Sequence, residues 1–557
     1  MKVIVIVIVI VIVVVHVKNI FLSPKKILQK MSGKLVPFMK QHFLPLMIIA
    51  VVALIINVRH LNEPPAYIHA WAQADNYSLA LGYQHNGCDF FHPQTLIFNK
   101  QQYGFEDPES LVTGCDLPLH HWLAALLMNV MGTSQPWVFR GLTLLVAILG
   151  LWALYLLTFV WSGSRAKSLL VAVFMATSPS FAYYSSSFIP TVPALSLAIG
   201  GLLLYVLYLR GNKTWLLYAG ILLLTLSMME RTSFAVLWIA VGCFQMLRIW
   251  RGEARFRSSW LPFLAGALLF AAWWLWSAHL RQQYGSLFLS SLLPVRNMDE
   301  AREVLQYVHD RWMFHYYQRI QHWLYVAVAV GALVTLIIKG KFIRKGEKHL
   351  SLWWLVAIWM FGEMLFAAAM SEQYADHDYY FLDSFYLPIV ISFVLLLSVL
   401  PNPSKQWGQV VTLVLVLAIT GFMTAEACHM QKVRRLEGVE ALTTAIRYKN
   451  ANRMLEETGY GSKDLRFLTL FSYPQNTPFV MMDREGYAVM WNDTDVVAHA
   501  LTFDYDYILV EDEVYRREFE AAPYILPHLQ RLAGNGEISV CALSDSVLHP
   551  TADYFFE

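Results

Sequence analysis

Long apolar runs bounded by charge recur through most of the chain, at residues 43–58, 137–161, 168–185, 191–209, 214–228, 232–247, 260–279, 322–338, 351–370, 385–400 and 409–427. A helix needs about 20 mostly apolar residues to cross a bilayer, so this pattern predicts about eleven transmembrane helices. A further apolar segment at 118–132, PLHHWLAALLMNVMG, is short and carries two histidines near its start. It reads as a half-inserted or juxtamembrane helix. From residue 429 the pattern changes. An amphipathic helix containing Val433, Leu436, Val439, Leu442 and Ile446 is followed by strand-like runs at 466–471, 478–482, 506–510 and 538–542. The fold class is an α-helical polytopic membrane protein with a C-terminal soluble α/β domain.

Composition agrees. Of 557 residues, 57% are hydrophobic and 15% charged, whereas soluble domains carry about 25% charge. A cytosolic enzyme is excluded. The net charge of +2 divides unevenly, because residues 429–557 hold 12 Lys and Arg against 20 Asp and Glu. That balance disfavours a nucleic-acid partner.

Orientation follows from the basic connections, since short Lys/Arg-rich loops stay cytoplasmic. Residues 18–40, Arg165 and Lys167, Arg210 and Lys213, the four arginines at 248–257, the basic stretch 339–348 and Lys405 fall on alternate connections if 118–132 does not cross. The expected organisation is a low-complexity and basic segment at 1–40 and a membrane domain at 41–428 with a long first exterior loop at 59–136. An exterior domain at 429–557 completes it. Residues 3–15 alternate Val and Ile, either a signal-like segment or an extension ahead of a start at Met31. No internal repeat is apparent. Five cysteines lack metal-type spacing, and Cys88 and Cys115 either pair in an extracytoplasmic loop or remain free thiols.

Candidate chemistry gathers on the exterior side. In the first loop, Trp71, Asp75 and Ser78 share one face of a helix, which sets a carboxylate at the membrane surface. The bland alternative is a solvated aspartate in an aromatic interfacial helix. Asp116 precedes the half-helix and Arg140 follows it, where a guanidinium either neutralises phosphate or snorkels to headgroups. Glu230 and Arg231 read as an ion pair between two spans. Residues 376–380, with His377, Tyr379 and Tyr380, precede span ten as a polar, aromatic turn. Exterior carboxylates have the chemistry to hold a divalent ion, but no ligand set has diagnostic spacing.

Order and spacing of these elements resemble the GT-C glycosyltransferases, nearest to the protein O-mannosyltransferase and aminoarabinose-transferase-like branch. The motifs are the first-loop Asp75, the half-helix ending at Gly132, Arg140, the segment 178–190 with Ser178, Pro179, Tyr183, Tyr184 and Pro190, and the late turn at His377. The resemblance covers about residues 43–400. It implies an inverting enzyme of the bacterial inner membrane, with its site on the extracytoplasmic face. That enzyme moves a sugar from a polyprenyl-phosphate donor to a lipid, glycan or protein acceptor. Asp75 matches the first-loop acidic residue of the family, Asp116 the acidic residue before the proline and Arg140 the arginine after the half-helix; the chemistry then makes Asp75 the expected general base, with Asp116, Arg140, Arg231, His377, Tyr379 and Tyr380 expected to bind substrate. The chain departs from the pattern at Asn76, Leu117 and Thr191, where relatives carry acidic residues or lysine.

Displacement of a lipid phosphate at an anomeric carbon needs a base for the acceptor hydroxyl and positive charge for the leaving phosphate. A transporter is the main rival and predicts ionisable groups at mid-membrane, of which Glu363 is the clear case. A lipid-linked oligosaccharide polymerase or ligase and a membrane-anchored sensor are further alternatives.

Overall fold

The computed structural model describes residues 24–99, 109–288, 291–338 and 351–544, with side chains from residue 41 onward. The Val/Ile stretch and the basic loop at 339–348 lie outside the described residues. Eight helices among them are long and apolar enough to cross a membrane: Gln41–His60, Pro136–Ser162, Thr191–Gly211, Thr232–Trp250, Phe256–Tyr284, Arg319–Ile338, Leu352–Ala369 and Gln406–Val433. The remaining three expected spans are shorter apolar elements. Thr214–Glu230 and Tyr386–Val399 form single helices, whereas 168–185 divides into Arg165–Thr177 and Pro179–Tyr184. The division falls at Ser178, which adopts extended backbone (φ −64°, ψ 132°) because the proline ring behind it disfavours the helical region.

Small residues let the spans approach closely. A Cβ at Gly201 would lie 2.9 Å from the Gly220 carbonyl oxygen, so Thr191–Gly211 and Thr214–Glu230 meet backbone to backbone. Glu363, the mid-span acid, is buried and accepts a hydrogen bond from Trp359 Nε1 (2.7 Å).

Above the spans lies a layer built from the first loop and the tail. The half-helix forms as expected: Leu119–Met131 starts after Pro118 and ends at Gly132 (φ 64°), and it packs on the first-loop helix Ala70–His85. The tail carries a five-stranded sheet of β1 (Phe467–Leu470), β2 (Gly486–Val489), β3 (Tyr507–Glu511), β4 (Leu529–Gly534) and β5 (Ile538–Leu543) in the order β2-β1-β3-β5-β4. β1 runs parallel to β2 and β3, and β5 is antiparallel to β3 and β4. The outer edge of β2 is closed by the first loop. Phe98 N donates to Gly486 O (2.9 Å), Gly486 N donates to Leu96 O (3.1 Å), and the Asn99 amide bridges both backbone groups of Ala488. One apolar cluster then joins Tyr77, Leu81 and Ile97 of the loop to Tyr448, Phe467, Phe479 and Leu509 of the tail.

Two expectations for the tail are corrected. Residues 478–482 form part of a helix, Thr477–Met482, because Pro478 stands in its first turn, where proline is favoured. The expected amphipathic helix is also interrupted. The last span runs to Val433, Gly438 turns with φ 67°, and a new helix, Val439–Tyr448, buries Ala441, Thr444, Ala445 and Tyr448 while Leu436, Val439 and Ile446 are exposed.

The spans and the layer above them are joined through a buried charge cluster. Arg434, just past the last span, pairs with Asp378 (Nη2–Oδ2 2.7 Å), and both side chains are fully buried. Asp378 also accepts from Tyr184 Oη (2.5 Å) and lies 3.0 Å from His69 Nε2. Burial alone would raise the Asp378 carboxyl, but Arg434, His69 and Tyr184 outweigh it and hold the group well below the usual carboxylate range. Next in sequence, Arg435 reaches Glu63 (2.8 Å), and Gly438 abuts the Tyr67 carbonyl, where a Cβ would sit 2.2 Å from the oxygen. These contacts hold Tyr67 and His69 at positive φ (66° and 55°), a conformation costly for side-chain-bearing residues.

Removing the cation strands a buried carboxylate, so Arg434→Met should destabilise the protein by about 3–5 kcal/mol. Thermal unfolding in detergent tests this, with Arg434→Met/Asp378→Asn expected to recover part of the loss.

Candidate active site

Between the first-loop helix and the adjoining ends of the spans lies a cavity of about 670 Å³. The helix Ala70–His85 contributes Trp71, Asp75 and Asn76 to its wall, the loop before the half-helix contributes Asp116, and the turn 376–380 contributes His377, Tyr379 and Tyr380. Arg231 and Arg281 line it from the ends of two spans, and Tyr473 lines it from the tail. Of the seven residues singled out in the sequence, six therefore converge.

Asp75 is 4% exposed and accepts a hydrogen bond from Asn476 Nδ2 (2.7 Å), a residue of the tail. Burial pushes its carboxyl up to about 7, with the Asn476 amide and the Trp71 indole acting in the opposite direction. The solvated interfacial aspartate is thereby set aside. Ser78 shares the helix face but turns its hydroxyl to the Asp75 carbonyl (2.8 Å). Asn76 Oδ1 accepts a hydrogen bond from His121 Nε2 (2.8 Å). The carboxylate absent from position 76 is thus replaced by a neutral amide.

Arg231 does not pair with Glu230, which corrects the expected ion pair. Glu230 accepts from the His120 backbone N–H (2.8 Å), because it caps the start of the half-helix. Arg231 bonds instead to the buried Asp383, with Nε at 3.0 Å from Oδ2, and lies over the Tyr379 and Tyr380 rings at 5.4 and 5.9 Å. Asp116 is exposed to the cavity and accepts from Thr232 Oγ1 (2.8 Å). His377 stacks on His69 with centroids 5.2 Å apart. Burial and the neighbouring His69 push it down to about 3, so it faces the cavity as a neutral imidazole.

Arg140 is the residue that does not converge. It is 3% exposed, and its guanidinium donates to the carbonyls of Glu63 (3.0 Å), Pro64 (3.0 Å) and Ser186 (2.6 Å) while lying 4.3 Å over Phe188. Its donors are consumed by backbone, so the expected phosphate contact is corrected to a tie between span two, the first loop and the segment 178–190. Arg281, not singled out in the sequence, takes the open position. It lines the cavity at the outer end of its helix, and its buried Nε has no hydrogen-bond partner.

Other expectations resolve simply. Cys88 and Cys115 are free. Among the described residues, no group of three or more His, Cys, Asp or Glu side chains is placed to hold a metal ion. Glu363 does not line the cavity. A second, apolar cleft of about 400 Å³ lies beside Phe381, lined by Val308, Met313, Tyr317 and Tyr325 among others.

No family model matches the sequence, and no curated protein matches it. Solved structures do resemble it. An oligosaccharyltransferase from Archaeoglobus fulgidus in the apo form aligns with TM-score 0.50 and 12% identity over 86% of this chain and 71% of that one. The arabinofuranosyltransferase AftD from Mycobacteria aligns with TM-score 0.51 and 13% identity over 91% of this chain and 42% of that one. ArnT from Cupriavidus metallidurans in the apo state gives TM-score 0.47 and 11% identity over 94% and 100%. At such identities the likeness is one of fold. The chain is an integral membrane protein with the fold of the GT-C glycosyltransferases, as the sequence motifs suggested.

Because the Asn476 amide stabilises the charged form of Asp75, Asn476→Leu should move the Asp75 midpoint above about 7. Infrared titration of the carboxyl band, assigned with Asp75→Asn, reads that shift; an unchanged midpoint would show that the contact carries no weight.

Proposed function

We propose that the protein is a glycosyltransferase that transfers a sugar from a polyprenyl-phosphate carrier to an acceptor hydroxyl at the extracytoplasmic surface. The observation that carries this reading is a single cavity in a GT-C fold with a buried carboxylate, Asp75, on one wall and two guanidiniums, Arg231 and Arg281, among its other walls. The neighbours at TM-scores of 0.50 and 0.51 are by name an oligosaccharyltransferase and an arabinofuranosyltransferase, which favours sugar transfer here.

In this mechanism Asp75 takes the proton of the acceptor hydroxyl as its oxygen bonds to the anomeric carbon. The bond from that carbon to the phosphate oxygen breaks, and the electron pair leaves with the polyprenyl phosphate. One in-line displacement inverts the anomeric configuration. Arg281 meets the departing phosphate most directly, since its Nε is uncommitted. Arg231 is neutralised in part by Asp383 and orients Tyr379 and Tyr380 beside the sugar. The apolar cleft next to Phe381 has the lining to hold prenyl units. The alternation of basic loops supports the exterior placement.

A base with a midpoint of about 7 is disabled by protonation, so transfer should fall roughly tenfold per pH unit below about 7 and level off above it. Asp75→Asn should lose about 10²–10⁴-fold in rate and the pH step with it, while its thermal unfolding stays at least as high as that of the parent. Near-normal turnover by folded Asp75→Asn rejects the assignment. Arg281→Gln should raise the KM for an undecaprenyl-phosphate sugar, and NMR of the product anomer checks inversion.

A further inference from the structure

The turn at residues 473–477 brings an unusual set of groups to the base. Gln475, Asn476 and Thr477 are each 0% exposed, yet both polar atoms of the Gln475 amide, Asn476 Oδ1 and Thr477 Oγ1 have no hydrogen-bond partner. A buried polar group left unsatisfied is costly, and native structures carry few of them. Four such atoms in three successive residues form a concentrated demand for an outside partner. They sit beside the site, because the Asn476 amide itself donates to Asp75 (2.7 Å).

Flat aromatic surface adjoins them. Tyr473 lines the cavity, and its ring lies 5.6 Å from that of Trp491, inclined by 36°. Trp491 is 57% exposed, far more than a large indole in a packed domain requires. Residues 472–477, Ser-Tyr-Pro-Gln-Asn-Thr, carry no charge.

We infer that this turn, together with Trp491, is the acceptor subsite and that it takes a saccharide. The inference rests on the glycosyl-transfer reading above. Sugars present what the turn lacks: several neutral hydroxyls, each both donor and acceptor, on a ring whose C–H face lies against an aromatic plane. Neutral amides and a hydroxyl match those groups. An anionic headgroup calls for cations, which the turn does not have, and an extended peptide calls for an open strand edge, whereas the nearby edge of β2 is covered by Leu96 and Phe98. Asp75 and Tyr473 line the cavity, so one sugar hydroxyl meets the carboxylate and the ring packs along Tyr473 toward Trp491; Gln475 and Thr477, which flank Asn476 and are enclosed in the sugar-free protein, are uncovered by the entering ring and meet its other hydroxyls.

The test uses the full chain in nanodiscs. Methyl α-mannopyranoside, methyl β-galactopyranoside and methyl α-arabinofuranoside are compared with a threonine peptide and octanol by saturation-transfer NMR and tryptophan quenching. At least one glycoside should bind, and Gln475→Leu and Trp491→Ala should each weaken it roughly tenfold. Trp491 is exposed, so its removal leaves the packed core untouched. No binding by any glycoside, equal binding by both folded variants, or preference for peptide or octanol overturns the inference. A separate arm measures binding of undecaprenyl phosphate. Its failure beside intact, variant-sensitive glycoside binding overturns the donor assignment and supports the subsite, whereas donor binding with no glycoside binding does the reverse.

Discussion

Much of this molecule hangs on one buried carboxylate and the guanidinium that neutralises it. Asp378 and Arg434 are fully enclosed, so each is tolerable only in the presence of the other. The pair lies where three parts of the chain converge: the end of the last span, the late turn before Tyr386–Val399 and the start of the first-loop helix through His69. Desolvation makes the junction unforgiving. Tyr184, from the broken helix of the segment 178–190, supplies a further bond and ties that buried segment to the same point.

The position of Asp75 descends from this junction. Its helix begins at Ala70, just after Tyr67 and His69, both held in the left-handed region, the first against Arg435 and Gly438 and the second by Asp378. Helix geometry then carries the carboxylate to the cavity, and the tail closes over it with Asn476. Burial raises the Asp75 pKa for the same reason that it demands a partner for Asp378. The two aspartates differ because one meets a full positive charge and the other meets neutral amide and indole groups. Environment thus divides two identical side chains into a structural anion and a group that titrates near neutrality.

Most spans were legible because bilayer thickness sets an apolar run length that few other structures need. Asp75 was legible because helical spacing put it on one face with Trp71, and both line the cavity. Arg140 and Arg281 mark the boundary of what sequence carries: both stand at first-loop-side ends of spans, and sequence gives their depth without saying whose donors are already taken by carbonyls. The same signal, an arginine at the end of a span, marks Arg281 as well. Glu230 and Arg231 were adjacent in sequence, yet helix termination sends their side chains to different partners. In the tail, Pro478 turned an apolar run into a helix, and Gly438 broke the helical periodicity that runs from Val433 to Ile446 in the sequence. Asn476 carried no sequence signal, since its importance comes from a contact across 401 positions.

The seam between the first loop and β2 also bears on how the protein is made. Residues 96–99 are synthesised long before Gly486 and Ala488, and must wait with their backbone groups open until nearly the whole chain has been delivered to the same side of the membrane. Such a distant pairing is slow to close, because a very long loop has to be ordered before any contact rewards it. A chain cut short before Gly486 therefore lacks the partner that closes the first loop, and the wall that the tail adds to the cavity is missing with it.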